Sequence, residues 1–261
     1  MPGDAPFCVR LFEPGDPGAA QARQVEEAVF LEVFGNTEEL LAKEYEPYEP
    51  ASVLLCVMDR RRDVAAGTMR VLLPSAAGFK SLNDVQPCWG ISVPDMLQAT
   101  GLDMEERRTW DLATLAVAPE YRGKAAMSLV TMGLMQAVTM TAWRLGVEWF
   151  VAVLDLPVFR LLRWRLRFTW SGFDGVGPMP YLGSTASIPA WCQLSTGKNH
   201  LARKDPDLHA LLFEGTGLGP AIEPLDVEMA ADKVAALRDA VDAADVADVA
   251  DVAAAAITSS R

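Results

Sequence analysis

Residues 109–147, TWDLATLAVAPEYRGKAAMSLVTMGLMQAVTMTAWRLGV, constrain the fold more than any other part of the chain. The apolar run up to Val117 reads as a strand, Arg122, Gly123 and Lys124 sit in a polar turn, and the stretch beyond is apolar and too long for anything but a helix. Backbone N–H groups at such a helix start point outward and carry partial positive charge, so an anion can bind there. Which anion depends on what surrounds the turn.

Residues 20–34 place Val25, Ala28, Val29 and Val33 near helical spacing, and Gly35-Asn36 is a stop signal. SVLLCVMD and VAAGTMRVLLP, parted by Arg60 to Asp63, predict two strands of an antiparallel hairpin. Residues 87–94 read as loop and 92–100 as a short helix. Residues 148–155, EWFVAVLD, predict a strand, 157–168 a helix, and 169–173 and 188–194 two further strands. Strands interleaved with helices predict a layered α+β domain, a sheet covered by helices, over residues 1–219. In the tail, 220–261, Asp242, Asp245, Asp248 and Asp251 recur every third residue. That period makes no fixed apolar stripe, so a helix over about 227–241 passing into a disordered acidic end is expected.

A net charge of −12 argues against generic nucleic-acid binding. The N-terminus has no basic flank before an apolar run, and no segment approaches the roughly 18 apolar residues of a membrane span, so a cytoplasmic protein is expected. Cys8, Cys56, Cys88 and Cys192 are scattered and only His200 and His209 accompany them, a pattern with no metal-ligand spacing.

This order of elements, together with Arg122-Gly123-Lys124-Ala125-Ala126-Met127 laid on a Q/R-x-x-G-x-G/A turn, resembles the GNAT acyltransferase superfamily. Ala125 stands where that turn usually has Gly. The likeness extends over residues 23–194 to one branch, the acyl-homoserine lactone synthases and long-chain N-acyl amino acid synthases. EYEPYEPASVLL, with Glu44, Glu46, Tyr48 and Glu49, is similar to that branch's acidic E-x-D-x-(Y/F)-D stretch. Gly67 and Arg70 match its Gly and Arg in the next strand, and Asp111-Leu112-Ala113-Thr114 takes the place of its E-x-S-R. The resemblance implies a mostly antiparallel mixed sheet flanked by helices.

It also implies acyl transfer from acyl-CoA or a phosphopantetheine-linked acyl carrier protein to an amine, such as an amino acid, without a metal. The turn, Arg122 to Ala126 with Ser128, would hold the donor phosphate. Backbone groups of Leu115, Ala116 and Val117 would hold the thioester carbonyl. Deprotonating the amine calls for a carboxylate, and Asp111, Glu46 and Glu49 are the candidates, with Arg70 beside them. Each also has a plainer reading: Asp111 can pair with Arg70 across adjacent strands, and Glu46 and Glu49 can be exposed solubilising charges. The thiolate-protonating Tyr of many acetyltransferases falls at Leu162 or Arg163 and is absent. Arg160, Arg163 and Arg167, at i, i+3 and i+7, form a helix face that either meets an acidic carrier protein or is merely solvated. Met127, Met132, Met135 and Met140 either line an acyl pocket or fill the core. A relative that binds a thioester without turnover and an acetyl-CoA-dependent acetyltransferase are the rival readings.

Overall fold

The computed structural model describes residues 5–123, 129–164 and 167–258, with side chains as far as residue 247. The chain opens with strand β1 (Phe7–Phe12), then helix α1 (Pro17–Phe34) and helix α2 (Glu38–Tyr45). A 3-10 turn, Glu46–Ala51, leads into β2 (Ser52–Asp59) and β3 (Val64–Leu72). Three short helices follow, α3 (Lys80–Asn83), α4 (Val85–Trp89) and α5 (Val93–Thr100), and then β4 (Thr109–Val117). Next come α6 (Leu129–Arg144), β5 (Trp149–Asp155) and α7 (Leu156–Trp164). The short strands β6 (Ser171–Gly172) and β7 (Met179–Tyr181) precede the long β8 (Ser184–Gln193). Helices α8 (Leu194–Lys204) and α9 (Pro206–Glu214), strand β9 (Ile222–Glu223) and helix α10 (Val227–Thr258) complete the chain. None of the described helices is long and apolar enough to cross a membrane.

The strands form one sheet in the order β6-β8-β5-β4-β3-β2-β1-β9, with β7 on the free side of β8. Neighbours are antiparallel except β4 with β5 and β1 with β9. Side chains alternate across the sheet as the strand period dictates. Val53, Leu55 and Val57 of β2 join Leu134 and Val138 of α6 in the main core, while Leu54 and Cys56 face Ala19 and Ala22 of α1. At Gly67 a Cβ would meet Val130 Cγ1 at 2.6 Å and the Ala116 carbonyl oxygen at 3.0 Å. That close approach of α6 to β3 is why glycine stands there.

Several expectations need correction. The helix expected over 157–168 is described as far as Trp164 and has ended by Arg167, which adopts φ 49°, and Phe168 N–H donates back to the Leu162 carbonyl while its ring is buried. Arg167 therefore leaves the face of Arg160 and Arg163 and donates to the Lys204 carbonyl at 2.8 Å. The strand expected over 169–173 shrinks to two residues, and the last long strand begins four residues earlier than expected, at Ser184. Helix α1 buries Ala19, Ala22, Glu26 and Val29, whereas Val33 is exposed. Strands β1, β7 and β9 and helices α2, α3, α4, α8 and α9 are additions to the expected elements, and α4 takes up residues 87–89 of the expected 87–94 loop. The segment after Gly219 packs on the rest, and its helix runs on to Thr258 in place of the disordered end expected beyond 241: Ile222 pairs with Phe7, and Ala230, Val234 and Val241 lie in the main core.

Candidate active site

The sheet itself makes the site. Strands β4 and β5 pair only over Thr109–Asp111 and Trp149–Val151, although β4 continues to Val117 and β5 to Asp155. A bulge sits at the parting: Arg70 faces Thr114 and Val71 faces Leu112, so Ala113 is the extra residue of β4. A bulge bends its strand and increases local twist, which turns β4 away from β5. From Ala113 onward the β5-facing edge of β4 has no strand partner among the described residues.

Ser81, at the start of α3, closes the narrow end of this seam. Its N–H and Oγ–H donate to the two Asp111 oxygens at 2.8 and 2.7 Å, and Val153 N–H donates to Ser81 Oγ at 3.1 Å. One serine thus ties β4 to β5 at the point where their own ladder ends. Asp111 is fully buried, and burial pushes its carboxyl up to about 6 against the opposing pull of the Ser81 donors.

The opening is a cleft lined by apolar side chains from both layers of helices. Phe30 and Phe34 of α1 stand on one side; Met135 of α6 and Val158 and Leu162 of α7 stand on the other. Leu112, Leu115, Val153 and Leu154 form its strand walls. The turn between β7 and β8 caps it: Leu182 (φ 42°) and Gly183 (φ 80°) form a two-residue loop of the type I′ hairpin, and Asn36 Nδ2 donates to the Leu182 carbonyl at 3.0 Å. Polar residues in the lining are few: Thr114, Ser184, Ser187, Tyr45, Tyr181 and Asp155, whose carboxylate accepts a hydrogen bond from Ser184 Oγ.

Beneath this cleft lies a charged layer. Arg70, 3% exposed, makes a bidentate contact to Glu26 through Nε (3.1 Å) and Nη2 (2.7 Å), while Nη1 reaches Glu49 at 2.6 Å. Arg23 also bonds Glu49, and Thr114 Oγ1 donates to Glu26. Burial opposes the Arg70 charge, but its two carboxylates outweigh that and raise its pKa further. Those arginines likewise hold Glu49 below its usual range against the effect of burial. Lys80 bonds Glu44 and Asp84, and its Nζ lies 5.6 Å from the Tyr45 ring centre and 5.9 Å from that of Tyr181. The Tyr181 hydroxyl donates to Asp84, and burial raises its pKa well above that of a free phenol.

The sequence-derived candidates are therefore distributed as follows. Asp111 and Arg70 do not pair; Ser81 holds the first, Glu26 and Glu49 the second. Glu46 is exposed at the start of the 3-10 turn. None of these four lines the cleft. Leu115, Ala116 and Val117 do lie on the unpartnered edge of β4, and Met135 is the expected methionine that reaches the lining. Arg122 is exposed beyond the strand end, donating to the Val117 carbonyl at 2.8 Å and pairing with Glu32 at 3.1 Å. Gly123 follows it, whereas Lys124, Ala125, Ala126, Met127 and Ser128 lie outside the described residues. Arg160 and Arg163 are exposed on α7, next to Trp164 at 79% exposure. Sequence reasoning missed Glu26, Lys80, Asp84, Tyr181 and Asp155. Only Glu26 carried a signal, as a charged residue on the Ala19-Ala22-Val29 stripe.

A mixed sheet whose central parallel pair splays into a ligand-sized cleft, with helices on both faces, is the GNAT fold, and this chain has it. Among solved structures it is similar to FeeM, an N-acyl amino acid synthase from uncultured soil microbes, at a TM-score of 0.55 and 14% identity over 76% of this chain and 96% of that one. The CoA-dependent acyl-homoserine lactone synthase BjaI also matches, at a TM-score of 0.48 and 14% identity over 87% of this chain and 99% of that one. No family model and no curated protein sequence matches the chain.

Proposed function

We propose that this protein is an N-acyltransferase that moves an aliphatic acyl group from a thioester to an amine by direct attack within the β4–β5 cleft. The observation that carries this reading is the cleft itself: a seam with a free backbone edge on β4 and apolar walls from Phe30, Phe34, Met135 and Leu162. The free edge, at Leu115 to Val117, can offer N–H groups to the thioester oxygen, where negative charge develops on attack. The apolar walls suit the acyl chain. Arg122 and Gly123, with Lys124, Ala125, Ala126 and Ser128, would meet the phosphate of CoA or phosphopantetheine, and Arg122 would exchange Glu32 for it.

Asp111, Arg70 and Glu49 act in this reading as positioning groups that hold the seam and the layer below it, and Glu46 stands at the rim of the same layer. An acidic acyl carrier protein fits the exposed Arg160 and Arg163 on α7, a helix whose other side, Val158 and Leu162, lines the cleft. The test is release of free thiol from CoA and carrier-protein thioesters, acetyl to palmitoyl, with and without pooled amines. Amine-dependent release that rises with acyl length supports the reading. Release from acetyl-CoA alone would make the protein an acetyltransferase, and thioester binding without release would make it a silent relative.

A further inference from the structure

Resting on that reading of the cleft, we propose that the acceptor is a primary amine that carries no carboxylate, and that Asp155 binds its ammonium group and takes its proton. Asp155 is the one charged residue among the described residues that line the cleft, and its carboxylate is bonded by the hydroxyl of Ser184, another lining residue. The neighbouring cations are already neutralised: Arg70 by Glu26 and Glu49, Lys80 by Glu44 and Asp84, and Arg122 by Glu32. A free α-carboxylate brought between Phe34, Leu112 and Leu154 would lose its hydration with no cation among the described lining residues to meet it, a cost far above that of a neutral substituent. An ammonium group beside Asp155 gains a counter-charge in the same place.

In the reaction the ammonium gives one proton to the Asp155 carboxylate, and the freed amine attacks the thioester carbon. The C–N bond forms, the C–S bond breaks, the departing thiolate takes the proton from Asp155, and the nitrogen gives up its second surplus proton to solvent, leaving amide, free thiol, the original carboxylate and one released proton. The plainer role for Asp155 is to accept the Ser184 hydroxyl at the end of β5. An asparagine carbonyl oxygen accepts the same hydroxyl, so Asp155→Asn removes the charge and keeps that bond.

The experiment compares thiol release, with the best thioester found above, for matched pairs: tyramine against tyrosine and isoamylamine against leucine. The expected result is that kcat/KM for each amine exceeds that for its amino acid by about 100-fold, as an unpaired buried charge would dictate. Asp155→Asn should lower kcat/KM for the amines by about 100-fold or more while the dissociation constant for acyl-CoA stays within a factor of two to three. Equal or better use of the amino acids would overturn the proposal and leave the acyltransferase reading standing, as would undiminished activity in Asp155→Asn. Silence with every acceptor would overturn both. The comparison of paired substrates on the unaltered protein stands even where the variant folds poorly.

Discussion

Arg70 shows how a single residue can look like chemistry and be architecture. Its guanidinium is buried, forked onto Glu26 and tied to Glu49, so it joins α1, the 3-10 turn and β3 under the cleft. A buried pair adds little net stability over apolar packing, yet removing one partner strands the other charge. Arg70→Met should therefore lower the unfolding free energy by about 3–5 kcal/mol in urea titration, and Arg70→Met with Glu26→Leu should recover part of that loss. If the double variant is no better than the single, the pair is not the unit described. Asp111 carries a pH signature. Its folded pKa of about 6 lies above the ordinary 3.8, so its contribution to stability is complete below 3.8 and is lost as pH rises through 6. Asp111→Asn lacks this dependence. The melting temperature of the unaltered protein should thus fall relative to Asp111→Asn between pH 4 and pH 7, and parallel curves would contradict the burial of a carboxyl there.

At the scale of elements, the strands of the hairpin were legible because β2 and β3 are apolar enough for both faces and are parted by a polar turn. The cleft was not, because it arises from a one-residue bulge at Ala113 and from pairing that stops after Asp111, neither of which leaves a mark in composition. Strand β1 was hidden by its length of six residues between proline-rich segments. Asp155 read only as the last residue of a strand. The cap over the cleft is equally tertiary: at Gly183 a Cβ would meet the Phe34 carbonyl oxygen at 2.1 Å, so the β7–β8 turn is seated against the end of α1. Gly183→Ala, with φ of 80° and no room, should unseat that turn and weaken use of long acyl donors more than short ones in the thiol-release assay. Met135→Phe fills the opposite wall. It should move the preferred acyl length downward, and an unchanged length profile would mean that the chain lies elsewhere.

For the whole molecule, the decisive question is whether the segment beyond Gly219 is an appendage or part of the fold. Its acidic three-residue repeat reads as a tail because the repeat offers no stable apolar face, but the first half of α10 is not built from that repeat. Ala230, Val234 and Val241 are buried in the main core, and Ile222 adds an edge strand to β1 with its side chain against Gly133 of α6. Arg144 of α6 also forks onto Glu228, an exposed pair worth little by itself. Burying Ile222, Leu225 and Val234 contributes on the order of 1.5–3 kcal/mol each, comparable in sum with the 5–15 kcal/mol that separates a folded domain from its unfolded chain. A chain ending at residue 247 should therefore melt cooperatively within a few degrees of the full protein, because Ile222, Leu225, Ala230, Val234 and Val241 all lie before that point. A chain ending at residue 219 should lose its cooperative transition or aggregate, having exposed the α6 face that Ile222 and Val234 cover. Cooperative melting of the shorter chain at an undiminished temperature would show that residues 1–219 fold alone and that α10 is an addition to a finished domain.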